Sequence, residues 1–346
     1  MHPKLRLPAE WEPAQAIILA WPHANTDWAY MLDEVRDCYA NIISAAAKQV
    51  KVIIIGPEMP DDRYLPSAPY RDNIIYIDIP TNDTWTRDYG PITTIGSDNK
   101  LIFNDFKFNG WGLKFAADKD NLATSLLYEK GILNGTRNNC LGFVLEGGSI
   151  ESDGKGTILT SSDCLLSPNR NGNMSRDHIE QYLKDTLGAE RVLWLTKGAL
   201  EGDDTDGHID TLARLAPPGD VIFYTGCHET DDSHHTVLSE MKKELEALRT
   251  SDGKPFHLIE LPLPDPIYDA DEGVRLPATY ANFLILNHTV LLPIYNQPMK
   301  DLMAKMAIES AMPDYDVIGI DCNALIRQHG SLHCATMQLP SNSLNI

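Results

Sequence analysis

The chain has 346 residues, 43 % of them hydrophobic and 23 % charged, the profile of a globular protein long enough for one large domain or two ordinary ones. A formal net charge of −20 argues against nucleic acid or an anionic membrane surface as partner and leaves room for a cationic small molecule. The six cysteines, Cys38, Cys140, Cys164, Cys227, Cys322 and Cys334, show neither C-x-x-C nor zinc-finger spacing and are few for a disulfide scaffold, so reduced thiols in the cytoplasm are expected.

The start, Met1-His2-Pro3-Lys4, lacks the shape of a signal peptide, and the apolar run 16–21 is too short for a membrane span. That run reads instead as a buried strand over 16–20. Asp27 is positioned to cap a helix over 27–49, with apolar spacing at Met31, Val35, Tyr39, Ile42 and Ile43. Further β-branched runs predict strands at 50–55, 73–79, 101–108, 156–160, 192–195, 221–224, 283–292 and 317–321. Helical patterns fall at 177–187, 234–248 and 297–311. The fold class is mixed α/β.

Segments rich in chemically capable residues recur at 83–95, 146–168, 205–215, 280–295 and 330–339, with starts roughly 50–75 residues apart. That spacing suggests repeated supersecondary units feeding one site on their common axis. Each segment also has a plainer, structural reading. In Asp206-Gly207-His208-Ile209-Asp210, a strand would put His208 and Asp210 on one face; a surface turn would leave the His solvated. In Trp85-Thr86-Arg87-Asp88, Trp85 suits cation–π contact with a planar cation and Asp88 its bidentate binding; the alternative is an Arg87–Asp88 surface pair. Glu146 precedes Gly147-Gly148, which allow close backbone approach or simply a turn. Asn282 precedes an apolar run and either contacts a ligand or caps a strand. Cys334 follows a Gly-containing turn, a setting that suits a nucleophile. His333 beside it would face the opposite way on a strand and reads as structural.

Phosphate-loop, dinucleotide and serine-hydrolase signatures are absent. A thiol, a histidine and several carboxylates fit attack on a cationic carbon. The guanidinium group is such a target, because its planar fork pairs with carboxylates and its carbon accepts a thiolate.

The ordered motifs Pro8-Ala9-Glu10-Trp11-Glu12-Pro13, Ala20-Trp21-Pro22-His23, Trp85-Thr86-Arg87-Asp88-Tyr89-Gly90-Pro91, Asn109-Gly110-Trp111-Gly112, Leu145-Glu146-Gly147-Gly148-Ser149-Ile150, Cys164-Leu165-Leu166-Ser167-Pro168-Asn169-Arg170-Asn171, Thr205-Asp206-Gly207-His208-Ile209-Asp210 and His333-Cys334 resemble the agmatine deiminase family. These are relatives of bacterial peptidylarginine deiminases in the guanidino-group-modifying superfamily. The resemblance covers nearly the whole chain. It implies a five-bladed α/β propeller of pseudo-symmetric ββαβ units, forming a single catalytic domain over 1–346. It implies Cys334 as nucleophile, His208 as acid/base, and Asp88 and Asp210 as guanidinium-binding carboxylates. Glu146 would orient His208 or contact substrate, Asn282 would stand in the site, and Trp85 would line the pocket.

The implied reaction is hydrolysis of agmatine to N-carbamoylputrescine and ammonia through a Cys thiouronium, with no metal or organic cofactor. The enzyme would be cytoplasmic and possibly homodimeric, with no nucleic-acid or membrane partner. Two departures are visible. Gln328-His329-Gly330-Ser331 stands where the family has Gly-Gly-Gly-Asn, which bears on the far end of the substrate. Glu151 stands where relatives often have His, and is expected to be solvated or near a distal amine. The rival readings are a deiminase for free or peptidyl arginine or another guanidine, a non-catalytic guanidine- or polyamine-binding protein, and a metal hydrolase using Cys and His ligands.

Overall fold

The computed structural model describes residues 5–345, so the Met1–Lys4 start read above for a targeting signal lies outside the described residues. Five small sheets succeed one another along the chain. Strands β1 (Ala14–Ala20), β2 (Lys51–Gly56) and β3 (Ile74–Asp78) form the first. It is followed by β4 (Ile92–Ile95), β5 (Leu101–Lys107) and β6 (Thr136–Val144). The third holds β7 (Ile150–Ser152), β8 (Thr157–Ser161) and β9 (Arg191–Leu195), and the fourth β10 (Ala213–Ala216), β11 (Val221–Gly226) and β12 (His257–Pro262). The fifth holds β13 (Leu284–Leu286), β14 (Thr289–Ile294) and β15 (Asp316–Asp321), and β16 (Met337–Pro340) ends the series.

Four sheets repeat one pattern, an antiparallel pair and then a parallel strand reached through a crossover, and the first shows it in β16, β1 and β2 with β3 added parallel to β2. Parallel neighbours need such a crossover, and a helix supplies it in each unit. These helices are α1 (Leu32–Ala46), α2 (Ala123–Glu129), α3 (Arg176–Leu187), α4 (His234–Ala247) and α5 (Pro298–Ala311). The ring closes because β16, at the end of the chain, pairs antiparallel with β1 at its start. This is the five-bladed ββαβ propeller.

The local sequence explains much of this. In β1 and β2, Ile17, Ile18, Leu19 and Val52 to Ile55 are all buried, as expected for strands covered on both faces. Helix α1 turns Val35, Cys38, Tyr39, Ile42, Ile43 and Ala46 inward at helical spacing. Ser175 caps α3 by accepting the His178 N–H, and Gly188 ends it in the left-handed conformation, φ 73°.

The structure corrects three expectations. Helix α1 starts at Leu32, not at Asp27, because residues before it form turns that drive Trp28 into the core, its indole N–H bonded to Thr84 Oγ1 at 2.9 Å. The run 283–292 is a hairpin rather than one strand. Asn287 takes φ 54° at its turn, and its side chain accepts the Ala14 N–H. The stretch 208–210 is a single 3-10 turn over Ile209–Thr211, not a strand. Among the described residues no helix is long and apolar enough to cross a membrane.

Candidate active site

The antiparallel strand that opens each unit is preceded by a turn, and those five turns carry the candidate residues. Asp88 lies in the turn Thr86–Tyr89 ahead of β4, and Glu146 directly before the turn Gly147–Ser149 that leads into β7. His208 and Asp210 precede β10, Asn282 precedes β13, and Cys334 precedes β16. One position of a repeated unit is thus used five times, and every one of these side chains is buried.

Gly148 shows how tightly they converge. A Cβ placed on it would stand 2.7 Å from His208 Nδ1, 2.9 Å from Asp88 Oδ1 and 3.0 Å from Asp210 Oδ2. Three polar groups from two turns therefore border one point. His208 Nδ1 and Asp210 Oδ1 have no hydrogen-bond partner, although both are fully buried. Buried polar atoms without partners are costly, and Asp210 Oδ1 here marks a place for an N–H donor of a ligand.

Cys334 is held by its neighbours. Asn282 Oδ1 accepts the backbone N–H groups of His333 at 2.9 Å and Cys334 at 3.3 Å. That fixes the amide, whose Nδ2 then lies 3.3 Å from Cys334 Sγ. Asp210 Oδ2 is 3.8 Å from the same sulfur. The Arg87 N–H donates to the Cys334 carbonyl at 3.1 Å. Arg87 and Asp88 are both buried, which removes the surface-pair reading.

Asp88 is fully engaged on one side. Its Oδ2 accepts the Trp111 indole N–H at 2.9 Å and its Oδ1 the Gly148 N–H at 3.0 Å. The Trp111 bond depends on an unusual backbone: Gly110, Trp111 and Gly112 have φ of 66°, 54° and 84°, and Asn109 Oδ1 accepts the Gly112 N–H. Glu146 Oε2 lies 3.4 Å from His208 Nε2, which orients the ring. Arg170 Nε donates to Glu146 at 2.7 Å and its Nη1 to Asp206 at 2.6 Å.

The charges follow from this packing. Burial works against a protonated His208, but Asp88 beside it, with Cys164 and Glu146, overrides burial and holds its pKa well above the ordinary value. Burial alone would raise the Glu146 and Asp210 carboxyls; hydrogen bonds from His208 and from His333 bring each below its ordinary value. Asp88 is raised by burial. The Cys334 thiol is raised well above its ordinary value by burial, then by Asp210 and Asp88.

A cavity of about 380 Å³ opens onto Asp88 and Cys334, lined also by Trp85, Trp111 and Phe115 and by Asp27, Asp83, Asp204 and Gly330. Trp85 packs on Trp28 and lies flush against Gly330, where any Cβ would sit 2.4 Å from its ring. Trp85 thus lines the pocket. Asp27 was read from the sequence only as a helix cap, and Asp83, Asp204, Trp111 and Arg170 were not singled out, although the last two lie inside quoted motifs. A second cavity, about 690 Å³, is bordered by Glu10, Arg87, Gly147, Glu151 and His333. Glu151 is buried rather than solvated, because Arg214 Nε donates to it at 2.6 Å. Two sets of closely placed donors, Glu146 with Cys164 and His208, and Glu10 with Glu151 and His333, have metal-like spacing. Arg170 occupies the first and Arg214 the second as a fixed cation, so both are ion-pair lattices.

Comparison with known proteins agrees with this geometry. The Porphyromonas-type peptidyl-arginine deiminase family matches residues 6–340. A Legionella pneumophila protein provisionally named agmatine deiminase is 34 % identical over 339 residues, 97 % of this chain and 95 % of its own. The crystal structure of a protein provisionally named arginine deiminase from Porphyromonas gingivalis superposes with TM-score 0.92 at 45 % identity, covering 99 % of this chain and all of that one. A Cys-to-Ser form of the Campylobacter jejuni agmatine deiminase with substrate bound superposes with TM-score 0.88 at 35 % identity, covering 99 % and 97 %. A thiol, an imidazole and paired carboxylates brought together by a five-bladed ring are in keeping with those matches: the chain belongs to the Porphyromonas-type peptidyl-arginine deiminase family, hydrolases acting on the C–N bonds of linear amidines.

Proposed function

We propose that this protein hydrolyses agmatine to N-carbamoylputrescine and ammonia. The observation that carries the reading is the pair of acidic zones on one cavity. Asp88 and Cys334 line it, with Asp210 bordering the same point beside Gly148 as Asp88, and Asp27, Asp83 and Asp204 line the same cavity. A molecule with a guanidinium at one end, an apolar stem and an ammonium at the other matches that order, with the stem against Trp85, Trp111 and Phe115.

In this mechanism Asp88 and Asp210 clamp the guanidinium and keep it charged. With the guanidinium seated, the Cys334 thiol loses its proton to solvent, and the thiolate forms a bond to the guanidinium carbon. The C–N bond to one terminal nitrogen breaks as His208, an imidazolium, donates its proton, and ammonia leaves. The neutral His208 then takes a proton from water. The water oxygen bonds to the thiouronium carbon, the C–S bond breaks, and the ureido product departs with Cys334 restored. Glu146 keeps the His208 ring in place throughout. Asn282 holds the turn that presents Sγ.

A second reading, arginine as substrate, is favoured by His329, which borders the same cavity where the family has glycine and offers a partner for a carboxylate. Ammonia release on agmatine and arginine in parallel decides between them, with Cys334→Ala as control. Release from agmatine alone supports the first reading and release from arginine alone the second. Release that persists in Cys334→Ala overturns the mechanism, and a protein that binds agmatine without turnover is a binding module.

A further inference from the structure

The motif Pro8–Pro13 belongs to no blade, yet its Glu10 is buried on the axis behind the catalytic turn. Glu10 Oε1 accepts the Ile285 N–H at 2.6 Å, tying this segment to the fifth sheet. Its Oε2 lies 2.7 Å from His333 Nε2 and accepts from Arg214 Nη2 at 2.9 Å. Arg214 is held in turn by Glu151 and by the carbonyls of Ala281 and Phe283. The other ring nitrogen of His333, Nδ1, lies 2.7 Å from Asp210 Oδ2. The ring is therefore a bridge between the N-terminal segment and a carboxylate of the clamp.

We propose that His333 and Glu10 are positioning residues, Glu10 fixing the His333 ring and His333 Nδ1–H fixing Asp210 so that its Oδ1 faces the guanidinium. Asp210 Oδ1 has no other partner, so its direction depends on what holds Oδ2. His333, next in sequence to the nucleophile, thus acts on the substrate clamp rather than on the sulfur. The inference rests on the deiminase reading above.

The same hydrogen bond sets when Asp210 ionises. Asp210 is faced by His333 and Cys334 from the C-terminal turn, His208 from its own turn, Asp88 from the turn Thr86–Tyr89 and Arg214 from β10. Burial raises its carboxyl, and the bond from His333 is the largest effect bringing it down. Removing that bond moves the ionisation to higher pH, and the acid limb of kcat/KM follows it.

The experiment compares His333→Gln with His333→Asn. An Asn amide nitrogen is as many bonds from Cα as Nδ1 and can still donate to Asp210; the Gln amide nitrogen corresponds to Nε2 and cannot do both. His333→Gln should lose roughly 10- to 100-fold in kcat/KM, mostly through KM, with the acid limb displaced upward, as expected for a hydrogen bond to a charged group. His333→Asn should be about tenfold or more better than His333→Gln and keep the wild-type acid limb. A purely structural ring would leave the two variants equally impaired, and that result overturns the proposal. Glu10→Gln keeps an acceptor for Ile285 but removes the charge facing Nε2, so it tests the same relay should His333→Gln fail to fold. It should raise KM and move the acid limb, and wild-type values of both overturn the role of Glu10. The wild type is assayed alongside. If it releases no ammonia from any guanidine, the functional reading falls and takes this inference with it; if it turns over while the variants behave alike, only the positioning role falls.

Discussion

Gly148→Ala is the sharpest test of the site, because the perturbation is a single methyl group. Gly148 is not in the left-handed region, so alanine brings no backbone strain. All of the cost falls on what the new Cβ touches: His208 Nδ1 at 2.7 Å, Asp88 Oδ1 at 2.9 Å and Asp210 Oδ2 at 3.0 Å. Ordinary contact begins at about 3.4 Å, so each polar atom must retreat by roughly 0.4–0.7 Å. None of them ends a long flexible chain, and Asp88 and Asp210 are also held by Trp111 and His333. Misplacement of reacting groups by about 1 Å costs on the order of 100-fold, or about 2.7 kcal/mol of transition-state stabilisation. Overpacking of a buried site costs about 1–3 kcal/mol of stability, which a chain of this size tolerates. The assay is ammonia release on agmatine, with circular dichroism and thermal unfolding to confirm the fold. A folded Gly148→Ala with kcat/KM within about threefold of wild type would show that these three groups do not border the reaction centre.

Two further outcomes test the supporting charges. Arg170→Met strips the fully buried Glu146 of its guanidinium, and removing one partner of a buried pair costs about 3–5 kcal/mol, measurable by chemical denaturation; a loss below about 1 kcal/mol would show that His208 alone satisfies Glu146. Asp83 is pushed up to about 7 by burial, with Asp27 adding to the shift. The folded state therefore holds a proton that the unfolded chain releases above its ordinary 3.8, and stability falls as pH rises from there to about 7. Asp83→Asn should match wild type in thermal stability at the acid end of that window, exceed it increasingly up to pH about 7 and then stay parallel, while binding agmatine more weakly. A stability difference independent of pH would refute the assignment of that ionisation.

The blade pattern was legible because buried β-branched runs and amphipathic helices carry their own periodicity. Among the strands that escaped are two with polar letters. The start of β6, Thr-Arg-Asn-Asn, is largely exposed, and β10 contains Arg214, which reads as an interruption although it is buried among Glu10, Glu151 and two carbonyls. The residues that converge around Gly148 and Cys334 were legible by type and spacing, since one turn per unit carries them. Their supports were not. Arg214 and Glu10 are 204 positions apart, and no local pattern couples them. Trp111 reaches Asp88 only because Gly110, Trp111 and Gly112 adopt left-handed backbone, which a lone Asn-Gly-Trp-Gly does not announce. Glu151 looked solvated beside a turn, and only its distant partner makes it part of the core.

The charges around Cys334 lead to a last expectation. Burial keeps the thiol protonated well above its ordinary range, and Asp210 and Asp88 add to that. Asp88 also helps keep His208 an imidazolium, although burial opposes it. In the free protein the thiol is thus neutral and the ring charged, which leaves little thiolate at neutral pH. A guanidinium between Asp88 and Asp210 offsets the two carboxylates that oppose the thiolate, so the substrate itself brings the nucleophile into play. A small alkylating agent that carries its own planar cation should share this advantage. At neutral pH, 2-chloroacetamidine should inactivate Cys334 faster than neutral 2-chloroacetamide, by a ratio at least about tenfold above that for free cysteine, since 1.4 kcal/mol of charge compensation suffices for that factor. With 2-chloroacetamide the rate should keep climbing beyond the ordinary thiol range instead of levelling off. Equal ratios for protein and free cysteine, or a plateau near neutral pH with the uncharged reagent, would mean that the thiolate forms without the substrate's charge.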